Sequence, residues 1–286
     1  MEKLTEQILH DVIRPRPANS FKGSYGKVTL VGGNRNFGGA IIMASTAAVC
    51  AGAGLVTTAT ATSNSGALHA QLPEAMFADF TADQQLADLV SAATTVVVGP
   101  GLGDDDQSLH ILKNVFAHVR PEQNLVIDGS AITLMAREKL TAPAANVIYT
   151  PHEMEWQRLS GIKIGEQTEA KNQTVRDQLN ATVVLKKHHT EIYTASQVYQ
   201  LTIGSPAQAV GGMGDTLAGM VGGFTAEFSS QPQKAVLAAV YAHSAIADKI
   251  AESQYIVLPH QISRALPSFM KKMEQTPTEH QIGFLN

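Results

Sequence analysis

The chain is expected to fold as an α/β protein around a central, mostly parallel sheet. Two observations carry that expectation. Strand-like and helix-like segments alternate along most of its length, and the strands are continuously apolar rather than alternating. A strand apolar on both sides is buried on both faces, which a parallel sheet with crossover helices provides. A third pattern marks the ends of those strands, where glycine-rich or charged loops recur.

In order, residues 27–31 form a short apolar strand and the alanine-rich stretch 39–50 a helix. Residues 55–60 are a β-branched strand, 82–91 a helix, 94–98 a strand and 107–119 a helix. Strand 125–128 and helix 130–136 follow, then strand 147–149, helix 166–179 and strand 182–185. Residues 191–194 and 197–201 flank Ala195-Ser196 with no helix between them, the pattern of a β-hairpin. From Asp215 onward the spacing is helical, over 215–228, 233–251 and 260–273. No Pro/Gly/Ser-rich linker and no internal repeat divides the chain, so residues 1–286 are expected to form one domain. Residues 1–20 are expected as an N-terminal helical extension and 276–286 as a loosely held tail.

Composition excludes several classes. With 286 residues, 44% hydrophobic and 16% charged, the chain can fill a large core and is not disordered. A net charge of −4 without a basic stripe argues against nucleic acid as a partner. Cys50 is the only cysteine, which leaves no disulfide framework and no zinc-thiolate site, and its apolar surroundings predict a small core residue. No signal-peptide pattern opens the chain and no apolar run approaches about 18 residues. A cytoplasmic protein with no membrane partner is expected.

The loops at strand ends hold the candidate site, because ligands of open α/β sheets sit beyond the carboxyl ends of the strands. Gly33-x-x-x-x-Gly38 has the glycine spacing of a phosphate loop, but Gly39-Ala40 stands where that motif needs Lys-Ser/Thr. Ala40 opens a helix there. Gly99-Pro100-Gly101-Leu102-Gly103 precedes three aspartates that suit a helix N-terminus, and Gly103 leaves room for a substrate. Thr150-Pro151-His152-Glu153 is read as a capping box starting at Thr150, with His152 at the ligand end of the sheet. In Lys186-Lys187-His188-His189-Thr190, Lys186 ends an apolar strand where a phosphate could meet it. Neighbouring strand residues point to opposite faces, so His188 and His189 are poorly spaced as a metal pair.

The run Gly211-Gly212-Met213-Gly214-Asp215 is the strongest signal. Glycines let the backbone approach a ligand, and the first N–H groups of the helix they enter form an anion site. Asp215 is either an N-cap or the acceptor of a substrate proton. Three glycines beside it favour the second, since capping needs none of them.

Together these segments resemble the ADP-dependent (S)-NAD(P)H-hydrate dehydratase family of the ribokinase-like superfamily. The resemblance is carried, in family order, by Lys22-Gly23-x-x-Gly26, Phe37-Gly38-Gly39-Ala40, Ala51-Gly52-Ala53-Gly54-Leu55-Val56, Gly99-Pro100-Gly101-Leu102-Gly103, Asp128-Gly129, Thr150-Pro151-His152-Glu153-x-Glu155, Val184-Leu185-Lys186 and Gly211-Gly212-Met213-Gly214-Asp215. It implies a ribokinase-like fold and the dehydration of hydrated NADH or NADPH with ADP, or ATP, as phosphoryl donor. It further implies Asp215 as the base, an anion hole at Gly211, Gly212, Met213 and Gly214, and hydrated-cofactor contacts at Ala40, Gly103, His152 and Asp215. Adenine-nucleotide contacts would come from Lys186, Lys187, His188, His189, Thr190 and Gly214. Mg²⁺ is implied with the phosphates and water as its main ligands, and a homotetramer as the assembly.

Two departures from the family pattern concern the nucleotide side. Lys187 stands where Leu-Lys-Gly is usual, and 205–210 lacks a further glycine. A ribokinase-like small-molecule kinase of the hydroxymethylpyrimidine or hydroxyethylthiazole type shares the Gly-x-Gly-Asp motif. A non-catalytic nucleotide-binding protein is the third reading.

Overall fold

The computed structural model describes residues 1–275. The tail expected to be loose, 276–286, lies outside the described residues. Its strands are β1 (Glu2–Leu4), β2 (Lys27–Val31), β3 (Leu55–Thr60), β4 (Met76–Asp79), β5 (Thr95–Val98), β6 (Asn124–Ile127), β7 (Asn146–Tyr149), β8 (Thr182–Leu185), β9 (Glu191–Tyr193) and β10 (Val198–Leu201). Its helices are α1 (Gln7–Val12), α2 (Gly38–Cys50), α3 (Ser65–Gln71), α4 (Asp83–Ala92), α5 (Asp106–His118), α6 (Gly129–Glu138), α7 (Glu153–Ser160), α8 (Glu169–Leu179), α9 (Met213–Glu227), α10 (Pro232–Ala251) and α11 (Pro259–Gln275). No helix among the described residues is long and apolar enough to cross a membrane.

The ten strands form one sheet in the order β1-β10-β9-β8-β7-β6-β5-β2-β3-β4. Only β9 runs against its neighbours, β8 and β10, which is the expected hairpin region. From β2 the chain steps outward through β3 to β4, then returns to β5 on the other side of β2. The strand order therefore reverses between β2 and β5, and the crevice at their carboxyl ends is where ligands of such sheets sit. The two loops leaving there are stitched together. The N–H of Gly33 donates to the carbonyl of Pro100 at 2.8 Å, and that of Asn34 to Gly101 at 2.7 Å.

The continuously apolar strands feed two layers. Val97 packs with α2, α9 and α10 on one face, while Val96 and Val98 pack with α5 and α6 on the other. In the first layer α9 lies against both α2 and the sheet at backbone distance. A Cβ on Gly219 would stand 2.0 Å from the carbonyl oxygen of Ala44, and one on Gly222 would stand 2.4 Å from Val97 Cγ2. The alanines that crowd 39–50 supply the other half of this seam, with Ala44, Ala47 and Ala48 fully buried. Cys50, expected in the core, is half-buried at its margin, and burial raises its thiol pKa.

The structure departs from the expected elements where partners distant in sequence decide. The first residues are a strand, β1, pairing in parallel with β10, so the helical extension is confined to α1. A parallel partner nearly 200 residues away leaves no local sign. The edge strand β4 and the short α3 were also not expected, because their few apolar residues show no clear period. Helix α8 begins at Glu169 rather than 166, after the Thr168 side chain caps Lys171 N–H.

Gly219→Ala is expected to destabilise the fold by about 2 kcal/mol, because a backbone carbonyl must move to admit the methyl group. Gly66→Ala, where a Cβ meets nothing within 4 Å, should change stability by less than about 1 kcal/mol. Urea unfolding of the two variants checks both.

Candidate active site

The N-terminus of α9 points to the carboxyl end of the sheet, beside the loop that follows β8. Its cap is Gly212, with φ of 93°, a left-handed conformation open to glycine at little cost. Thr216 is the first residue whose N–H bonds back, to the Gly212 carbonyl at 2.9 Å. The N–H groups of Met213, Gly214 and Asp215 are left without a helical acceptor, and such groups bind anions. Asp215 is thus the third residue of the helix rather than its N-cap, so the less favoured of its two readings falls: glycine takes that position because the backbone there needs a positive φ.

Beside this terminus four charged side chains converge. Lys186 Nζ lies 2.8 Å from Asp128 Oδ1, and the Thr150 hydroxyl donates to the same oxygen at 2.7 Å. A Cβ on Gly214 would stand 3.0 Å from Lys186 Nζ, which places the ammonium against the start of α9. Burial pushes the carboxyl of Asp215 up to about 6, Asp128 and Glu155 push the same way, and Lys186 opposes them. Burial also raises the Glu155 carboxyl, against the pull of Lys186. Burial alone would lower the Lys186 ammonium, but Asp128, Glu155 and Asp215 together hold it above its ordinary value. Three carboxylates around one ammonium leave Asp215 poised to take a proton near neutrality.

The capping box starts two residues later than expected. Thr150 spends its hydroxyl on Asp128, and the Pro151 carbonyl accepts from Lys186 N–H at 2.8 Å, so the chain is still extended there. His152 is the N-cap of α7. Its Nδ1 accepts from the N–H groups of Met154 and Glu155, and Glu155 Oε2 accepts from His152 N–H at 2.8 Å. With Nδ1 accepting, Nε2 carries the ring hydrogen and stands 3.4 Å from Glu155 Oε1.

A cavity of about 580 Å³ opens beside α9, lined by Lys186, Lys187, His188, His189, Thr190 and Gly214, with Met213, Leu217 and Ser244 among its other walls. All six side chains or backbone positions expected at the nucleotide are on it. Residues Ser205, Pro206, Gln208 and Ala209 of the glycine-poor segment form its far wall. Lys187 does not offer a free charge: its Nζ is 2.8 Å from Glu191 Oε1, itself buried and bonded to the Tyr193 hydroxyl. His188 and His189 lie past the end of β8 rather than on opposite faces of a strand. Their ring centroids are 4.1 Å apart, because the backbone bends after Lys186. No group of three or more His, Cys, Asp or Glu among the described residues is placed to hold a metal ion.

Ala40, Gly103, His152 and Asp215 are not on the wall of this cavity. Ala40 and Gly103 belong to the paired loops at the switch point: a Cβ on Gly101 would stand 2.9 Å from that of Ala40, and one on Gly103 would stand 2.5 Å from Asn34 Nδ2. His152 bridges to Lys186 across the ends of β7 and β8. The arrangement has two sides, a cavity at Lys186 and Gly214 and a crevice between β2 and β5. Asp215, next to Gly214 and electrostatically tied to Asp128 and Lys186, stands between the elements that build them.

A model of the NAD(P)H-hydrate dehydratase family matches residues 28–268, from within β2 to within α11. The chain belongs to that family. It is 50% identical over 275 residues to the ADP-dependent (S)-NAD(P)H-hydrate dehydratase of Lactiplantibacillus plantarum, covering 96% of this chain and 99% of that one. A ribokinase-like superfamily protein from Enterococcus faecalis superposes with a TM-score of 0.94 at 46% identity, over 96% of this chain and 97% of its own. The ADP/ATP-dependent NAD(P)H-hydrate dehydratase of Bacillus subtilis, co-crystallised with ATP and Mg²⁺, superposes at 0.86 with 28% identity, over 96% and 99%. The fold is ribokinase-like, as the resemblance implied.

In this family member Asp128 and Glu155 join the site without having been singled out from sequence as site residues. Asp128 follows β6 directly, at the same level as the other loops at the carboxyl ends of the strands, and that position was the available signal. Glu155 entered the sequence reading only as the last residue of the Thr150–Glu155 segment that carries the resemblance. A carboxyl whose folded pKa lies above its unfolded value opposes folding once ionised. Its cost grows as pH rises from about 4 through about 6. Asp215→Asn is therefore expected to be more stable than the wild type by about 1–2 kcal/mol near pH 8, allowing for partial solvent screening, and equal to it near pH 4. Urea unfolding at the two pH values tests this.

Proposed function

We propose that the protein is an ADP-dependent dehydratase restoring NADH and NADPH from the S-epimers of their hydrates, with AMP and phosphate as the other products. The observation that carries the reading is the joining of an anion-binding helix N-terminus, an adjacent carboxyl raised to about 6 and a cavity bearing Lys186 and Gly214. Its near full-length likeness to enzymes of that name supports it.

Hydroxide is a poor leaving group from C6 of the hydrated nicotinamide ring. Asp215 accepts the proton of that hydroxyl as its oxygen attacks the terminal phosphorus of ADP, and AMP departs. The N–H groups of Met213 and Gly214 stabilise the charge on the transferring phosphoryl group, and Lys186 adds a compensating ammonium. The ring nitrogen lone pair then expels phosphate, carrying the C6 oxygen away, and loss of a ring proton restores the reduced nicotinamide. Ala40, Gly103 and His152 are assigned to the hydrated cofactor, and Lys186, Lys187, His188, His189, Thr190 and Gly214 to the nucleotide. Mg²⁺, when bound, would be held mainly by the nucleotide phosphates and water, with Asp128 and Glu155 as the nearby carboxylates, and would supply charge neutralisation. A cytoplasmic homotetramer is part of the same proposal, and the exposed Phe21 and Tyr255 leave apolar surface for subunit contacts.

Incubation with ADP, Mg²⁺ and hydrated NADPH should regenerate the absorbance of reduced nicotinamide and release AMP. Accumulation of a stable phosphorylated product would instead indicate a kinase, and nucleotide binding without turnover a non-catalytic protein. Asp215→Asn should lower kcat about 10³-fold while both substrates still bind. In the wild type the rate should fall as pH drops through about 6, where protonation removes the acceptor.

A further inference from the structure

Asn64 is a buried polar side chain, 7% exposed, that the reaction does not use. It follows β3 in the single turn Thr62–Asn64, and its carboxamide faces the loop after β2. Nδ2 donates to the Gly33 carbonyl at 2.7 Å and to the Thr60 hydroxyl at 2.9 Å. Thr60 Oγ1 donates to the same Gly33 carbonyl at 2.7 Å, and a longer contact of 3.4 Å joins Asn64 Nδ2 to the Asn34 carbonyl. The other end of the amide meets Gly38, the first residue of α2, where an added Cβ would lie 2.3 Å from Asn64 Oδ1.

One buried amide is therefore hydrogen-bonded to the start of the loop and packed against its end. Between those ends the Asn34 side chain accepts from the N–H groups of Asn36 and Phe37, which leaves the loop few alternatives. Ala40 lies two residues past Gly38, and the Asn34 amide sits against Gly103. These contacts connect Asn64 to the backbone that leads to Ala40 and, through Asn34, to Gly103.

We infer that Asn64 is a positioning residue of the dinucleotide subsite: it sets the spacing of Ala40 and Gly103 through Gly33 and Gly38 without touching the ligand. The inference rests on the proposed reading of the switch-point crevice as the place of the hydrated dinucleotide. Gly38 must then be glycine because the amide occupies the space of its side chain, and the two positions act as a unit. The nucleotide side, at Lys186 and Gly214, shares none of these bonds, so the effect is confined to one substrate.

Steady-state kinetics with ADP and hydrated NADPH test it in the wild type, Asn64→Ala, Thr60→Val, Gly38→Ala and the double variant of Gly38 and Asn64. Asn64→Ala and Gly38→Ala should each raise the KM for hydrated NADPH about tenfold, with the KM for ADP unmoved. Gly38→Ala should cost less in the Asn64→Ala background, where its methyl group finds room. Thr60→Val keeps the side-chain size and removes one of the two donors to Gly33, so it should give a smaller rise in the same constant even if Asn64→Ala does not fold. Wild-type turnover with no selective rise in the variants, or with both KM values rising together, overturns the inference alone. Absence of turnover in the wild type fails the functional reading and the inference with it.

Discussion

Helix α9 can present its first N–H groups to a ligand only because its middle lies at backbone distance from its neighbours. Gly219 rests on the Ala44 carbonyl and Gly222 on Val97, so the helix sits deeper than side chains elsewhere would allow. Close packing without flexible side chains fixes an axis more sharply than interdigitating long ones, since there is little to repack. The terminus of that axis carries Gly212, Met213, Gly214 and Asp215. The anion site and the candidate base thus inherit their position from a seam of small residues one to two turns away.

The second constraint is electrical. Asp128, Glu155 and Asp215 surround one ammonium, an arrangement that disfavours full ionisation. A protein built for stability alone would not place Asp215 there. The same imbalance makes the carboxyl a better proton acceptor near neutral pH than an exposed aspartate. Thr150 and the shifted capping box serve this cluster: the hydroxyl that would have capped a helix steadies Asp128, and the helix begins instead at His152.

Much of the fold was legible in the chain. Continuous apolar strands such as 95–98 announce burial on both faces, and the period of 107–119 announces a helix, because both signals are local. Asp105 in front of that helix caps it as its composition implied. The loops that carry Ala40, Gly103 and Asp215 were visible as glycine-rich segments, and the one that carries His152 as a capping box at a strand end. What escaped was non-local: β1, which exists through pairing with β10, and Asn64, whose polar side chain looks like any turn residue until Gly33 and Gly38 come to meet it.

Local signals in the sequence specify most of the element types, the mostly parallel sheet and the presence of an anion-binding helix terminus beside an aspartate, since periodicity and glycine spacing act over a few residues. Tertiary structure alone decided which charges surround that aspartate, that Lys187 is neutralised by Glu191, and that the Lys186 cavity lies apart from the β2–β5 crevice. Those depend on strand order and on loops far apart in sequence. Desolvation and Coulomb interaction follow distance in space, which residue order does not record.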